Sequence, residues 1–168
     1  MAKKTTVKAI ALKYGTVGGD ATTPLMGVLK GLTVGQDGPD STEIEAEFFD
    51  TPFDIFYDGN PVTLNFELAN YDLTELPALF GGSAADDVYE GAASAHTTEH
   101  SWQLEFGRGN YALYIYKGLT IGTIKKDEDG ALNFSVTITA LNYTTGAGTE
   151  QSPYVDHMYK IVGTAPTT

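Results

Sequence analysis

The chain has 168 residues, 10 Lys or Arg against 22 Asp or Glu for a net charge of −12, no Cys, and 42% hydrophobic and 11% aromatic residues. One core of this size buries roughly 70% of the unfolded surface, so a single domain needs neither disulfides nor a structural metal, and the apolar content excludes disorder. The acid excess argues against affinity for a phosphate backbone, which comes from Lys and Arg displacing counterions.

The charge is uneven. Between Lys30 and Arg108 lie 77 residues without one base, holding 16 of the 22 carboxylates. A solvated acidic face is one reading of such a block, and a surface that repels an anion is the other. Met1 to Lys4 opens like a signal peptide, but Lys8 and Lys13 confine the apolar run to residues 9–12, far short of an h-region or membrane span. That predicts a soluble chain kept in the cytoplasm, with no membrane partner.

Residues 5–13 alternate weakly and lead into a Gly-rich loop at 14–24. Residues 25–34 form a second apolar run, and 35–41 is dense in turn formers. In 42–49, Glu43, Glu45 and Glu47 alternate with Ile44, Ala46 and Phe48, which puts core on one face of a strand and three carboxylates on the other. Residues 53–57 continue the β character, and Asp58-Gly59-Asn60 turns the chain. In 61–69, Val62, Leu64, Phe66 and Leu68 oppose Thr63, Asn65 and Glu67. The pattern pairs 42–57 with 61–69 across a hairpin.

One short α-helix is expected over about 72–80. Asp72 and Glu75 have capping-box spacing, Leu73, Leu76, Leu79 and Phe80 recur at helical spacing, and Gly81-Gly82 ends the element. Pro77 fits the first turn if Thr74 is the cap instead. After a polar stretch at 83–98, strands are expected at 100–106, 111–117, 119–125 and 131–143, with turns at 107–110 and 127–130. In the last strand Leu132, Phe134, Val136, Ile138 and Ala140 face inward, and Asn133, Ser135, Thr137 and Thr139 outward. Residues 154–162 fit a helix face or a strand, within a flexible C-terminal arm at 144–168. Roughly nine alternating strands and one helix define a mainly-β chain: one antiparallel β-sandwich or barrel domain.

Chemistry finds few carriers. His96-Thr-Thr-Glu99-His100 matches an inverted zinc-hydrolase motif, but that motif works only on a helix, and two β-branched Thr lie inside it with a strand directly after. Asp127-Glu128-Asp129-Gly130 has the look of a calcium loop without its full set of oxygens, so it reads as a hairpin turn. Glu43, Glu45 and Glu47 stand about 7 Å apart along a strand, with nothing to split their pKa values as acid–base catalysis requires. His157 stands alone. The expectation is a non-enzyme without cofactor or metal. Trp102 with Tyr111, Tyr114 and Tyr116 reads as core, a subunit interface or a sugar platform.

The run from Glu43 to Ile55, then 61–68, then Tyr71-Asp-Leu-Thr-Glu-Leu-Pro-Ala-Leu-Phe80-Gly-Gly, resembles the tail tube (major tail) proteins of tailed bacteriophages. The later hairpins, ending in residues 131–141, resemble that family too, and the likeness covers about 40–143. The resemblance implies a β-sandwich protomer that assembles with itself into stacked, hexameric rings. The rings form a hollow tube in the virion tail, built in the host cytoplasm alongside other tail proteins, and DNA passes through without specific binding. Carried onto this chain, it makes Glu43, Glu45, Glu47, Thr63, Asn65 and Glu67 candidate lumen residues. Tyr14, Asp20, Asp37, Asp40 and Tyr154 become candidates for contacts between rings or subunits. The alternative is a carbohydrate-binding or adhesin-like β-sandwich module using Trp102 and the Tyr111–Tyr116 face.

Overall fold

The computed structural model describes residues 9–25, 28–38, 40–44, 54–58, 60–69, 71–91, 97–106, 111–126, 128, 130 and 132–163. Its strands are β1 (Ala9–Gly15), β2 (Thr23–Pro24), β3 (Val28–Gly35), β4 (Asp40–Ile44), β5 (Asp54–Asp58), β6 (Thr63–Ala69), β7 (Ser83–Ala85), β8 (Val88–Glu90), β9 (Thr97–Phe106), β10 (Tyr111–Lys126), β11 (Leu132–Ala140), β12 (Tyr143–Thr145), β13 (Val155–His157) and β14 (Tyr159–Val162). A 3-10 turn, Leu73–Glu75, runs into the one short helix, α1 (Leu76–Phe80). All named pairings are antiparallel, in keeping with the mainly-β fold expected from the alternation.

The main sheet runs β2-β1-β9-β10-β11-β6-β3, and β14 also pairs with β10. The strands expected at 111–117 and 119–125 are one 16-residue strand, β10, whose pairing with β9 shifts register between Ile115 and Gly118. Ahead of that shift β10 pairs with β14, and beyond it with β11. One strand thus serves two partners in succession, and between its two halves lies a single core. Trp102, Leu104, Ile115 and Leu12 meet Leu64, Phe66, Leu68, Val136 and Ile138 there, all nearly sealed from water. Two glycines allow close approach. A methyl on Gly118 would come within 2.7 Å of Trp102 Cδ1, and one on Gly122 would overlap the Phe80 ring.

The hairpin expected between 42–57 and 61–69 is drawn differently. β6 lies between β11 and β3, with Asn65 opposite Thr137 on one side and Thr33 on the other. β4 pairs with β5 instead, in one register with the β3–β6 pair: Gly35 sits opposite Thr63, and five residues on, Asp40 sits opposite Asp58. β3–β4 and β5–β6 are therefore the two arms of one long interrupted hairpin. Asn60 spans the interruption, donating through Nδ2 to the Gly38 carbonyl while its own carbonyl accepts from Gln36 Nε2 at 2.8 Å. Alternation alone cannot choose between these pairings, because an antiparallel partner shows the same period whichever strand it meets.

The helix forms as its residues dictate. Asp72 caps the 3-10 turn, accepting from the Thr74 backbone N–H at 2.9 Å, and Pro77 falls in the first turn of α1 because the α-helix starts only at Leu76. Thr74 does not cap the α-helix: Glu75 precedes it without a side-chain cap, and the Thr74 hydroxyl donates to Asp72 Oδ1 at 2.8 Å. Leu76, Leu79 and Phe80 are buried, and Phe80 stacks on Phe134 with centroids 4.9 Å apart. Thr98 Oγ1 donates to the Leu79 carbonyl, tying the helix to β9.

Other expectations change at the ends of elements. The loop placed at 14–24 begins only after β1, which runs to Gly15, and the turn-rich 35–41 ends in β4. The polar stretch 83–98 contains the hairpin β7–β8, turned through Asp86 and Asp87 at φ 50° and 60°. The arm placed at 144–168 carries β13 and β14, so 154–162 is strand rather than helix. In β11, Leu132 is exposed and Asn133 buried, the reverse of the alternation, whereas Phe134, Val136, Ile138 and Ala140 are buried as expected.

Candidate functional site

The polar face of β6 is where the candidate lumen residues are best described. Leu64, Phe66 and Leu68 are buried, and Thr63, Asn65 and Glu67 alternate with them toward solvent. Opposite strands in register share a face, so this surface continues across β11 through Ser135, Thr137 and Thr139, and onto β10 through Leu119, Ile121, Thr123 and Lys125. Thr137 Oγ1 donates to Asn65 Oδ1 at 2.9 Å.

Glu67 is paired with Lys125, and on the same sheet Glu99 meets Lys117 at 3.4 Å. The described part of this face is therefore a hydroxyl-rich surface whose carboxylates are matched by lysines, rather than an acidic wall. The sequence hid this because Lys125 lies 58 residues from Glu67 and beyond the base-free block. Its signal was parity: Lys125 shares the face of Thr123 on β10.

Glu43 lies on β4 with Ile55 as its backbone partner, in the long hairpin but not across from β6. Glu45 and Glu47 lie outside the described residues. The expected strand pair thus does not bring Glu43 and Glu67 together.

The candidate contact residues scatter. Tyr14 is on β1, half-buried, its ring 5.6 Å from Trp102 and 5.3 Å from His100, and burial foremost, with Glu75 second, raises its phenol pKa. It packs on the core rather than standing on a loop. Asp20 and Asp37 are exposed in connections, Asp40 opens β4, and Tyr154 is 69% exposed.

The hydrolase motif dissolves in the strand geometry. Glu99 and His100 are neighbours on β9 and so point to opposite faces. Glu99 is engaged by Lys117, and the His100 ring nitrogens lie 2.6 Å from the Ala78 carbonyl and 3.3 Å from that of Gly15. His96, Asp127 and Asp129 lie outside the described residues. No group of three or more His, Cys, Asp or Glu suited to a metal occurs among the described residues.

The aromatic residues divide likewise. Trp102 is fully buried, which removes it from any sugar platform. Tyr114 is buried, donates to the Gly19 carbonyl, and lies under Lys160, whose ammonium is 4.7 Å from the ring centroid. Tyr116 stacks on Tyr143 at 5.8 Å and packs against His157 at 5.0 Å. His157, solitary in sequence, belongs to a small cluster that seats β12 and β13. Thr145 Oγ1 lies 2.9 Å from its Nε2, and hydrogen bonds from Thr144 and Asn142 hold the neighbouring Asp156 carboxyl below the usual range.

A groove of about 440 Å³ opens between the 3-10 turn and the β7–β8 hairpin, lined by Tyr71, Leu73, Thr74, Ala84, Ala85 and Val88 together with three carboxylates, Asp72, Asp86 and Asp87. The Thr74 backbone N–H and then its hydroxyl lower the Asp72 pKa. In the sequence, one side of this groove reads as the start of the helix, Asp72 to Thr74, and the other only as part of a polar stretch at 83–98.

No protein-family model matches the chain, and no curated protein matches it. No helix among the described residues is long and apolar enough to cross a membrane.

Proposed function

We propose that this chain is a structural tail tube subunit that assembles with itself into stacked, hexameric rings through whose bore viral DNA is delivered. The reading rests on the resemblance over about 40–143. The observation that supports it best is the long hairpin β3–β4/β5–β6, which leads directly into the capped turn and α1 ending at Leu79-Phe80-Gly81-Gly82. No chemistry is asked of it: the subunit supplies a wall, and its partners are further copies and other tail proteins.

The face of β6, β11 and β10 suits a wall past which DNA moves. A phosphate backbone binds where it can exchange counterions for free Lys or Arg, and on this face Lys125 and Lys117 are already held by Glu67 and Glu99. Threonine and serine hydroxyls offer hydrogen bonds no stronger than those of water. Repulsion from a solid carboxylate wall is then not needed for mobility.

A charge of −12 on each copy opposes lateral assembly, so ring formation should increase with salt over the range where the Debye length falls toward about 8 Å. Negative-stain microscopy of the purified protein tests the reading, the expected result being rings or tubes of uniform bore. A monomeric globule at every salt and protein concentration would sink it.

A further inference from the structure

The groove between the 3-10 turn and β7–β8 combines an apolar floor with an acidic rim. Tyr71, Leu73, Ala84, Ala85 and Val88 form the floor, Val88 being 55% exposed, and Asp72, Asp86 and Asp87 stand around it without a base in the lining. Such a surface fits an extended peptide that carries both ammonium groups and small apolar side chains. The chain itself contains one: residues 1–8 hold Lys3, Lys4 and Lys8 with Ala2 and Val7, and no acid occurs before Asp20.

The fold puts Ala9, where this segment joins β1, and the groove at opposite ends of β10. Residues 1–8 enter β1 at Ala9, which sits opposite Phe106, itself opposite Tyr111 at the start of β10. The groove is at the other end of β10: Tyr71 donates to the carbonyl of Leu132, whose backbone partner is Lys126, the last residue of that strand. At about 3.3 Å per residue the contour of β10 is roughly 50 Å. Lys3 can reach only about 20 Å from Ala9 when fully extended. The contour of β10 is more than twice that reach, which favours a groove on another copy over the copy's own.

We infer that residues 1–8 of one copy dock in the groove of the next, joining copies end to end. Segment and groove are different surfaces, so the contact is heterologous, and with Ala9 and the groove at opposite ends of β10 it propagates instead of closing on a pair. The inference rests on the tube reading for its place in assembly, where it names the contact that stacks one ring on another. Being an attraction between exposed charges, it weakens as salt rises, opposite in sign to the lateral contact.

The test uses the full chain with Lys3→Glu, Lys4→Glu and Lys8→Glu, whose own segment no longer fits the groove, and a fluorescent peptide of residues 1–9. The peptide should bind this chain, and Asp86→Asn with Asp87→Asn should weaken binding about tenfold. Asn tolerates the left-handed backbone at both positions, so the turn is kept. Binding unchanged by the Asn pair, or no binding at all, overturns the inference. Microscopy separates this from the tube reading. Stacks as long in the triple-Glu chain as in the parent overturn the arm contact and leave the tube standing. Peptide binding at the groove by a chain that never forms rings does the reverse.

Discussion

The two halves of β10 carry similar side chains into different company. Beyond the register shift, β10 meets β11, whose Phe134, Val136, Ile138 and Ala140 are buried, Phe134 against Phe80 of the helix. Ahead of the shift it meets β14, where Tyr159 and Ile161 face the same side as the buried Ile115 and Leu113 yet remain 41% and 68% exposed. One half packs beside its own helix; the other ends in a four-residue edge on which Val162 is half-buried while Tyr159 and Ile161 stay exposed. Stability is thus concentrated at one end of the strand, and unpaired backbone and apolar surface at the other.

The sealed half should be the easier one to break. Phe80→Ala removes the ring that fills the space over Gly122 and stacks on Phe134, and should cost about 3–5 kcal/mol in denaturant unfolding. Gly122→Ala alone should cost about 1–3 kcal/mol by forcing that ring aside. In the Phe80→Ala background the added methyl has room, so the double variant should be more stable than the sum of the two losses allows.

Thr120 sharpens the same contrast. Its hydroxyl is buried with no hydrogen-bond partner among the described residues, so Thr120→Val should raise stability by about 1 kcal/mol. A lower melting temperature in calorimetry would show that the hydroxyl has a partner after all. At the open half, Ile161→Lys should change monomer stability by no more than about 0.5 kcal/mol, since the side chain is already wet. Under the proposed tube reading, an edge used between subunits would show the same substitution as loss of assembly in sedimentation.

The smallest effect concerns acid. The Asp156 carboxyl is held below its ordinary 3.8 by Thr144 and Asn142, so its contribution is complete above that pH and is lost as pH falls through the lowered folded-state value. Hydrogen exchange at β12 and β13 should therefore quicken below about pH 3.8 before exchange in β11 does, and Asp156→Asn should abolish that difference.

The alternation of β6 and of β11 from Phe134 onward was legible because one face is core and the other water, which forces period two into the residues. The helix was legible through Asp72, Pro77 and the Gly pair, whose backbone demands are local. Partner choice was not. Whether Asp40–Ile44 meets β6 or β5 depends on loop closure and on what else covers β6, and neither leaves a mark on the residues themselves. The Lys125–Glu67 pair escaped for the same reason, and the β7–β8 hairpin because its three-residue strands are too short to show a period. Leu132 and Asn133 defied alternation where β11 begins, beside the Tyr71 contact.

The pairing of β1 with β9 also sets a clock. His100 and Gly15, which meet across that ladder, are 85 residues apart, so at about 5–20 residues per second β1 waits roughly 4–17 s for its neighbour to be synthesised. For that interval the edge of β1 that will meet β9 is unpaired, β2 covering only Lys13 and Tyr14 on its other side. An edge left open for that long is exposed to the identical edge on neighbouring nascent copies, and Lys13, within β1 itself, sets a like charge on each of them.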